Sequence, residues 1–219
     1  MRKDREMSDH LDIIKDAIIS GKHTQIEEIV KAAIEDNADL DEIINDAMIG
    51  AMDIVGRKFS ASEIFVPEML VSAVTMKKGL DIIKPLLIDG TIQSRGTIIM
   101  CTVKGDIHDI GKNLVIMMLQ GAGFDVVDLG VDLSGETVIE KVKEIKPNIL
   151  GLSALLTTTM PEIKNIIESL KTHGLRDSIK VMVGGAPLNA TFAEQVGADG
   201  YGRDATEAVE LARKFVKDN

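Results

Sequence analysis

The sequence predicts a chain in two parts: a bundle of four helices, followed by an α/β domain with a parallel sheet. Residues 1–90 carry apolar side chains at helical spacing and contain no run typical of a strand. From residue 96 onward, short apolar runs alternate with helical runs, which is the pattern of successive βαβ units. Residues 89–90 and 94–96 are small or polar and look like a linker. We therefore expect a helical domain at 1–90 and an α/β domain at 91–219.

Amphipathic segments define the helical part. Apolar residues recur every three or four positions in the segments 11–18, 26–34 and 43–55. A loop is expected at 56–63, and Pro67 then suits the first turn of a fourth helix. Four such helices with short connections predict a helical bundle.

Five short apolar runs define the strands of the second part, and a helical run follows each of them. The expected strands are 97–103, 124–130, 149–155, 180–185 and 199–202. Five strands alternating with five helices predict a flavodoxin-like, Rossmann-like sheet. In open sheets of this kind ligands bind beyond the carboxyl ends of the strands, so the loops after the strands are the candidate sites.

Composition argues against several classes of function. The net charge of −10 would repel the phosphates of a nucleic acid. No segment approaches the roughly 18 consecutive apolar residues of a membrane span, and the charged start of the chain does not resemble a signal peptide. The single cysteine, Cys101, lies in an apolar run, which suits a buried thiol in a reducing cytosol. We therefore expect a cytoplasmic protein with no nucleic acid or membrane partner.

The first loop of the α/β part, residues 103–113, carries the most specific chemistry. It joins the first strand to the first helix and reads Val-Lys-Gly-Asp-Ile-His-Asp-Ile-Gly-Lys-Asn. His108 can present a neutral imidazole nitrogen to a metal, and Asp106 can accept the proton of the other ring nitrogen. Gly111 removes a side chain where a large planar ligand would press on the backbone. The alternative for a lone histidine is a local hydrogen bond or a helix cap.

A phosphate-binding loop does not explain this segment. That motif needs four residues between its first and second glycines, and a Ser or Thr after its lysine. Here Gly105 and Gly111 are separated by five residues, and Asn113 follows Lys112. The loop therefore fails the motif both in spacing and in residue type.

Three elements of the α/β part together resemble the cobalamin-binding domain family. They are Gly105-Asp106-x-His108-x-x-Gly111, Ser153-x-Leu155 and Gly184-Gly185, in matching order and spacing. Methionine synthase, the B12-dependent mutases and the corrinoid proteins of methylotrophic methyltransferase systems share this pattern. The resemblance implies a cobalamin or related corrinoid bound base-off, with its benzimidazole tail displaced and His108 on the lower face of cobalt. It also implies that Ile107, Asp109 and Ile110 bind the cofactor.

The same resemblance implies a slot for the displaced tail, lined by small side chains and hydroxyls along the sheet. Ser153 and Thr157 would line this slot. Thr159 falls where methionine synthase has the Ser of a His–Asp–Ser relay, and a Thr there keeps the hydroxyl. Taken alone, a Thr-rich loop is most often only a turn.

Two further pairs are assigned to the tail by the resemblance. Gly184 and Gly185 would let the backbone approach the tail closely. Asp204 and Ala205 follow the fifth strand, where the family contacts the nucleotide part of the cofactor. The alternative for the glycine pair is a strand-to-helix turn.

The start of the fourth predicted helix, Ile64-Phe-Val-Pro-Glu-Met69, resembles the helical cap over the upper corrin face in methionine synthase and the corrinoid proteins. In those proteins the cap holds apolar side chains over the methyl group. Carried over by position, Phe65, Ser72 and Thr75 would face the cofactor. The alternative for Phe65 is a core residue of the bundle, the commoner role of a single aromatic at a helix start.

The function implied by the resemblance is that of a corrinoid methyl carrier. The size and two-part layout are similar to those of the corrinoid proteins of methylamine, methanol and betaine methyltransfer systems. No region is left over for a methyl-substrate site, so no residue of this chain is assigned a catalytic role. A substrate-specific methyltransferase would methylate the cobalt to give methylcobalamin, and an acceptor methyltransferase would remove the methyl group.

Other functions fit the sequence less well. A small cobalamin-binding subunit of a B12-dependent mutase would resemble the second half, but residues 1–90 argue against it. A B12-based sensor would need a DNA-binding module, and no helix-turn-helix precedes the bundle. A flavodoxin-like domain that binds FMN would leave Asp106 and His108 without a role.

Overall fold

A computed structural model describes residues 2–86 and 94–217 of the protein. The chain divides into two compact units, Met1–Gln93 with Gln120–Gly123 and Ser94–Leu119 with Phe124–Asn219. The predicted domain boundary after residue 90 lies outside the described residues and stays a prediction.

Four helices form the helical unit, as the sequence predicts. Helix α1 is Arg2–Ile19, α2 is Ile26–Glu35, α3 spans 40–60 and α4 is Val66–Ile83, followed by a 3₁₀ turn at Lys84–Leu86. An apolar stripe of each helix packs into a common core. The largest fully buried side chains of this unit are those of Ile14, Ile18, Ile26, Ile43, Met48, Met69, Met76 and Ile83.

Helix α3 is continuous, but its hydrogen-bonding period changes along its length. Leu40–Glu42 is α-helical, Ile43–Ile49 is π-helical and Gly50–Ser60 is α-helical again. Asp39 caps its start, since its carboxylate accepts the N–H groups of Asp41 and Glu42. The π segment keeps its apolar residues inside the bundle.

The predicted loop at 56–63 is wrong in its first half, because α3 continues to Ser60. A glycine inside a helix costs about 1 kcal/mol relative to alanine. Val55 and Gly56 are buried, and this packing outweighs the low helix propensity of the glycine. The chain turns only after Ser60, where Ser62 takes the left-handed conformation with φ +59°.

The second unit is a five-stranded parallel sheet in the order β2-β1-β3-β4-β5, which confirms the predicted flavodoxin-like architecture. The strands are β1 Thr97–Thr102, β2 Asp125–Asp128, β3 Ile149–Ser153, β4 Lys180–Gly184 and β5 Gly200–Tyr201. The helices are α5 Ile110–Gly121, α6 Gly135–Ile145, α7 Met160–Thr172, α8 Ala190–Val196 and α9 Ala205–Lys217. The middle strands β1, β3 and β4 are almost entirely buried, as expected for strands covered on both faces.

The strand order places two loops side by side at the carboxyl edge of the sheet. β1 pairs with both β2 and β3, so the direction of winding reverses at β1. Thr102 is in register with Ser153, and Ser153 is in register with Gly184. The loops after β1 and β3 therefore begin next to each other, at the kind of switch point where open α/β sheets bind ligands.

All five strands are shorter than predicted, β1 and β4 by a single residue each. β3 ends at Ser153, because the next free N–H groups, those of Leu155 and Leu156, bond a carboxylate rather than a neighbouring strand. β2 ends at Asp128, and Gly130 then turns the chain with φ +92°. β5 is reduced to Gly200–Tyr201.

The single cysteine is buried, as its apolar neighbours in the sequence predict. Cys101 lies within β1 and is fully buried, and this burial raises the pKa of its thiol to about 12. The thiol is therefore protonated and unreactive at neutral pH.

Within residues 2–86 and 94–217, no helix combines the length and apolar character that a membrane crossing requires.

Candidate functional site

The candidate site lies on the loop between β1 and α5, where Asp106 and His108 contact each other. Nδ1 of His108 lies 2.7 Å from Oδ1 of Asp106, and the backbone N–H of His108 donates to the same oxygen at 3.1 Å. The side chain of Asp106 is 0% exposed, whereas that of His108 is 48% exposed. The acid is thus fixed inside the protein, and the imidazole stands at its surface.

The second oxygen of Asp106 is held by the loop after β3. Oδ2 accepts the N–H of Leu155 at 2.6 Å, the N–H of Leu156 at 3.2 Å and the hydroxyl of Thr159 at 3.0 Å. Burial works to raise the pKa of Asp106, but the bonds from Leu155, His108 and Thr159 outweigh it and hold this pKa well below its ordinary value. Asp106 is therefore a carboxylate with five hydrogen-bond donors around it.

The charge of Asp106 fixes the tautomer of His108. An ionised carboxylate only accepts hydrogen bonds, so Nδ1 of His108 carries the ring proton. In the neutral ring Nε2 then holds a free lone pair, and no described residue hydrogen-bonds to it. A neutral imidazole with an outward Nε2 and a carboxylate behind Nδ1 is the usual arrangement of a metal-binding histidine.

The surroundings of His108 suit a metal that brings its other ligands with it. Among the residues that the structure describes, no three His, Cys, Asp or Glu side chains gather into a metal-binding group. Large apolar side chains stand exposed around the ring instead: Ile107 (74%), Ile110 (84%), Leu155 and Leu156. Such a patch is an expected binding surface for a large, partly apolar ligand.

Gly111 also fits a broad ligand. It lies in the first turn of α5, and a Cβ built there would meet no protein atom within 4 Å. Packing within the protein therefore gives no reason for a glycine at this position. An open backbone surface next to His108 and Ile110 leaves room for a planar ring.

An ion pair between a buried lysine and an exposed aspartate fastens the far end of this loop. Nζ of Lys112 lies 2.7 and 2.8 Å from the carboxylate oxygens of Asp128 and 2.9 Å from Oδ1 of Asn113. The side chain of Lys112 is 1% exposed. The first turn of α5 is thereby tied to the end of β2. Asn113 in turn donates its side-chain amide to the carboxylate of Asp109 at 3.1 Å.

The small residues assigned to the tail lie on adjacent strand ends, but the chain itself explains the glycines. Gly185 has φ +133°, and a Cβ there would overlap the carbonyl oxygen of Ala154. A Cβ on Gly184 would come within 3.2 Å of the carbonyl oxygen of Gly202. These glycines are required by the close approach of neighbouring strand ends. Their role toward a cofactor tail stays a prediction, as does that of the half-buried Ser153.

Three other residues were predicted to bind the cofactor tail: Thr157, Asp204 and Ala205. Thr157 is exposed on the loop after β3. Asp204 follows the edge strand β5 and caps α9, accepting the N–H groups of Thr206 and Glu207 at 2.9 Å each. Ala205 is buried. The structure thus gives Asp204 and Ala205 structural roles and leaves their cofactor contacts as predictions.

Two of the three predicted cap residues do not present their side chains at the surface. Ser72 and Thr75 are buried. The hydroxyl of Ser72 donates to the carbonyl of Ile19, and that of Thr75 donates to the carbonyl of Val71 one turn earlier at 2.7 Å. Their contact with a cofactor stays a prediction, as both hydroxyls are bonded within the helical unit. Phe65 is 64% exposed, so it is not a core residue, and its contact with a cofactor stays a prediction.

Several residues of the site were not predicted. Thr102, at the buried end of β1, donates its hydroxyl to the carbonyl of His108 at 2.9 Å. A polar residue ending an apolar strand was the available signal. Leu156 contributes only its backbone N–H, so its residue type carries no signal. Asp132 contacts the loop from a separate segment, which only the pairing of β1 with β2 brings close.

Adding a methyl group at Gly111 is expected to stabilise the free protein and weaken cofactor binding. A Gly to Ala change inside a helix gains about 0.5–1 kcal/mol, and here the new Cβ meets nothing. The same Cβ would stand on the surface that a planar ligand needs. Thermal unfolding of Gly111→Ala and Gly111→Leu, with corrinoid titration of each, measures both effects.

Gly135 offers a matched control for this experiment. It lies in the first turn of α6, and a Cβ there would make an ordinary 3.6 Å contact with Ile166. Gly135→Ala should therefore leave corrinoid binding unchanged. Equal corrinoid affinity in Gly111→Leu and the unaltered protein would contradict a ligand lying on Gly111.

Sequence comparison identifies the family to which this fold and site correspond. The B12 binding domain family matches residues 96–210, and a second family with the same description matches residues 11–84. The chain belongs to the B12 binding domain family.

Similar proteins of known class cover nearly the whole chain. A corrinoid protein of Desulfitobacterium hafniense (strain Y51) is 41% identical over 209 residues, which is 94% of this chain and 97% of that protein. The dimethylamine corrinoid protein of Methanosarcina barkeri is 42% identical over 204 residues, 93% of this chain and 95% of that protein.

Solved structures give the same picture. The crystal structure of a methanol:cobalamin methyltransferase complex from Methanosarcina barkeri matches with a TM-score of 0.87 and 33% identity, covering 96% of this chain and 81% of that chain. A cobalamin-binding protein from Desulfitobacterium hafniense DCB-2 matches with a TM-score of 0.78 and 32% identity, covering 94% and 98%. The predicted resemblance and the predicted architecture, a helical domain followed by a Rossmann-like domain, are thus confirmed.

Proposed function

We propose that this protein is a corrinoid methyl carrier that binds cobalamin base-off, with His108 as the axial ligand of cobalt. The observation that carries the proposal is the Asp106–His108 pair, which leaves Nε2 free at an exposed apolar surface. The two relatives that cover the chain almost completely are named as corrinoid proteins, one of them as a dimethylamine corrinoid protein. A similar chain also occurs in the solved methanol:cobalamin methyltransferase complex. When bound, the corrinoid supplies a cobalt that accepts and releases a methyl group.

The residues of this chain bind and tune that group. His108 provides the nitrogen ligand, and Asp106 keeps its ring in the Nδ1–H tautomer and in a fixed orientation. Thr159 donates its hydroxyl to Asp106. The ring of His108, the carboxylate of Asp106 and the hydroxyl of Thr159 therefore form one chain of hydrogen bonds. Ile107, Ile110 and Leu155 offer apolar contact area around the ligand.

We assign cofactor binding to a set of residues on the four loops after β1, β3, β4 and β5, at the carboxyl edge of the sheet, and on the helical domain. The support is geometric for the loop after β1 and rests on the family resemblance for the others. The set is Gly105, Asp106, Ile107, His108, Asp109, Ile110, Gly111, Ser153, Leu155, Thr157, Thr159, Gly184, Gly185, Asp204, Ala205, Phe65, Ser72 and Thr75.

The proposed partners are two methyltransferases, one that methylates the cobalt from a substrate and one that passes the methyl group to an acceptor. A solved complex of a methanol:cobalamin methyltransferase contains a chain similar to this one, which supports a partner of the first kind. The domain division at residue 90 and a cytoplasmic location are part of the same proposal. A mutase subunit is not favoured, because a B12 binding domain family also matches the helical residues 11–84.

Stoichiometric corrinoid binding tests the proposal. Cofactor-free protein is mixed with hydroxocobalamin and, separately, with methylcobalamin, and the bound fraction and absorption spectrum are recorded. One corrinoid per chain with a histidine nitrogen on cobalt is the expected result. Failure to retain either cobalamin after gel filtration would contradict the proposal, and strong preference for adenosylcobalamin would favour a mutase subunit.

A further inference from the structure

Asp132 adopts a backbone conformation that needs an explanation. It lies on the exposed loop between β2 and α6 with φ +57°, in the left-handed region that non-glycine residues seldom occupy. Its neighbour Gly130 already supplies a turn. The left-handed conformation at Asp132 must therefore be held by contacts made there.

Those contacts are two hydrogen bonds to the loop that carries His108. Oδ1 of Asp132 accepts the N–H of Gly105 at 2.7 Å. The N–H of Asp132 donates to the carbonyl of Asp106 at 3.0 Å. Asp132 thus hydrogen-bonds to the peptide group before Gly105 and to the peptide group after Asp106.

The loop that carries Asp132 is itself hydrogen-bonded to the end of β1, directly next to this contact. The N–H of Thr102 donates to the carbonyl of Gly130 at 3.0 Å, and the N–H of Leu133 donates to the carbonyl of Thr102 at 3.1 Å. Val103 and Leu133 form an isolated parallel bridge. Asp132 therefore projects from a segment that the end of β1 keeps in place, and it acts as a rigid support.

The backbone at Gly105 and Asp106 requires such a support. Gly105 has φ +80° and no side chain, so its own conformational freedom is large. The carboxylate of Asp106 must nevertheless reach His108 on one side and the N–H groups of Leu155 and Leu156 on the other. A small rotation at Gly105 would move the carboxylate away from one of these groups.

We infer that Asp132 is a positioning residue for the axial ligand: by holding the Gly105–Asp106 peptides, it sets the Asp106 carboxylate and thereby the tautomer and direction of His108. The hydrogen bonds of Asp132 to this loop go to Gly105 and Asp106, so it acts on His108 through Asp106. The inference rests on the proposed corrinoid function for its consequence, but the contact itself can be tested without a cofactor.

Three variants separate the hydrogen bond from charge and from backbone strain. Asp132→Asn keeps an acceptor oxygen and a residue that tolerates positive φ, but removes the charge. Asp132→Ala removes the acceptor. Asp132→Gly removes the acceptor and also relieves the strain at φ +57°. Lys146→Gly is the matched control, because Lys146 caps α6 in the same left-handed conformation with φ +50° and is remote in sequence from the loop of His108.

The first readout uses cofactor-free protein. Nitrogen-15 NMR at one fixed, mildly alkaline pH reports how much of His108 is in the Nδ1–H tautomer. We expect the unaltered protein, Asp132→Asn and Lys146→Gly to show this tautomer almost entirely. We expect Asp132→Ala and Asp132→Gly to show a mixture of both tautomers.

The second readout is the spectrum of the corrinoid-loaded protein. Loss of a group that orients a metal ligand weakens metal coordination by roughly 10–100-fold, and we expect about 10-fold weaker histidine coordination in Asp132→Ala and Asp132→Gly. Thermal unfolding of every variant shows that the protein is folded. Rescue by Asp132→Asn, with loss in Asp132→Gly despite relieved strain, is the result that a merely structural role would not produce.

Each remaining outcome overturns one idea. Unaltered His108 tautomer and coordination in Asp132→Ala and Asp132→Gly would overturn the role of Asp132. Loss in Asp132→Asn equal to that in Asp132→Gly would show an effect of charge and would overturn positioning by the hydrogen bond. If the unaltered protein binds no corrinoid, the proposed function fails, while the NMR comparison still decides whether Asp132 orients His108.

Discussion

Replacing His108 by glycine is expected to abolish nitrogen coordination of a bound corrinoid while the protein stays folded. His108 is the one histidine of the loop 103–113, and no described residue hydrogen-bonds to its Nε2. Its ring is about half exposed, so its removal opens no cavity in the core. Absorption spectra and electron paramagnetic resonance of the cobalt measure the coordination, and circular dichroism measures the fold.

Free imidazole provides a direct control for the His108→Gly experiment. The space left by the ring lies at the surface, so millimolar imidazole should restore an axial nitrogen signal in this variant. His173→Gly is the matched variant, because His173 is exposed and bonds only within its own segment, to the carbonyl of Ser169 at 2.8 Å. An unchanged spectrum in His108→Gly would contradict the assignment of the ligand.

Replacing Asp106 by asparagine is expected to weaken both the fold and the coordination. The amide NH₂ of an asparagine would face N–H donors that now point at a carboxylate, so at least one buried donor would lose its partner. A buried donor without a partner costs about 1–3 kcal/mol, so the free energy of unfolding should fall by that amount. Loss of the carboxylate behind a metal-binding histidine should weaken its coordination by roughly 10–100-fold. Urea unfolding and corrinoid titration measure the two effects.

The stability difference between the unaltered protein and Asp106→Asn should depend on pH. The folded pKa of Asp106 lies well below its ordinary value of 3.8. The contribution of Asp106 to stability is therefore complete above that value, and it is lost as the pH falls below it toward the folded pKa. The difference should be largest at neutral pH and should shrink below about pH 4. A difference that stays constant down to pH 3 would contradict the lowered pKa.

Asp109→Asn serves as the control for the Asp106 variant. Asp109 lies on the same loop, but it is exposed and receives one side-chain hydrogen bond, from Asn113. Its replacement removes the same charge close to His108 without leaving a buried donor. We expect nearly unchanged stability, and a loss of stability as large as that of Asp106→Asn would point to an effect of charge alone.

The parts of the fold and site that depend on local sequence could be predicted. The alternation of apolar and helical runs predicted the five strands, because each strand of a parallel sheet is a short buried run. Asp106 and His108 are two residues apart on one loop, so their contact needed no knowledge of the tertiary fold. Thr159 is 53 residues from Asp106, and only the family resemblance pointed to that contact.

What the sequence could not show depends on tertiary contacts and on backbone hydrogen bonds. Asp132 reaches Gly105 because β2 pairs with β1, and nothing in the residues around Asp132 indicates that partner. The burial of Ser72 and Thr75 could not be predicted either, because a helical hydroxyl can bond a backbone carbonyl and be buried. The end of β3 was placed too late because Leu155 gives its N–H to a side chain.

The five donors around the buried carboxylate have a consequence for exchange of the axial ligand. If the imidazole turns away, Asp106 loses a single bond and keeps the N–H groups of Leu155 and Leu156 with the hydroxyl of Thr159, besides the backbone of the histidine itself. The Asp106 carboxylate therefore keeps four of its five donors whichever way the His108 ring points. If His108 held a metal, its release and return would then need rotation of this one side chain, with no rearrangement of the backbone around Asp106.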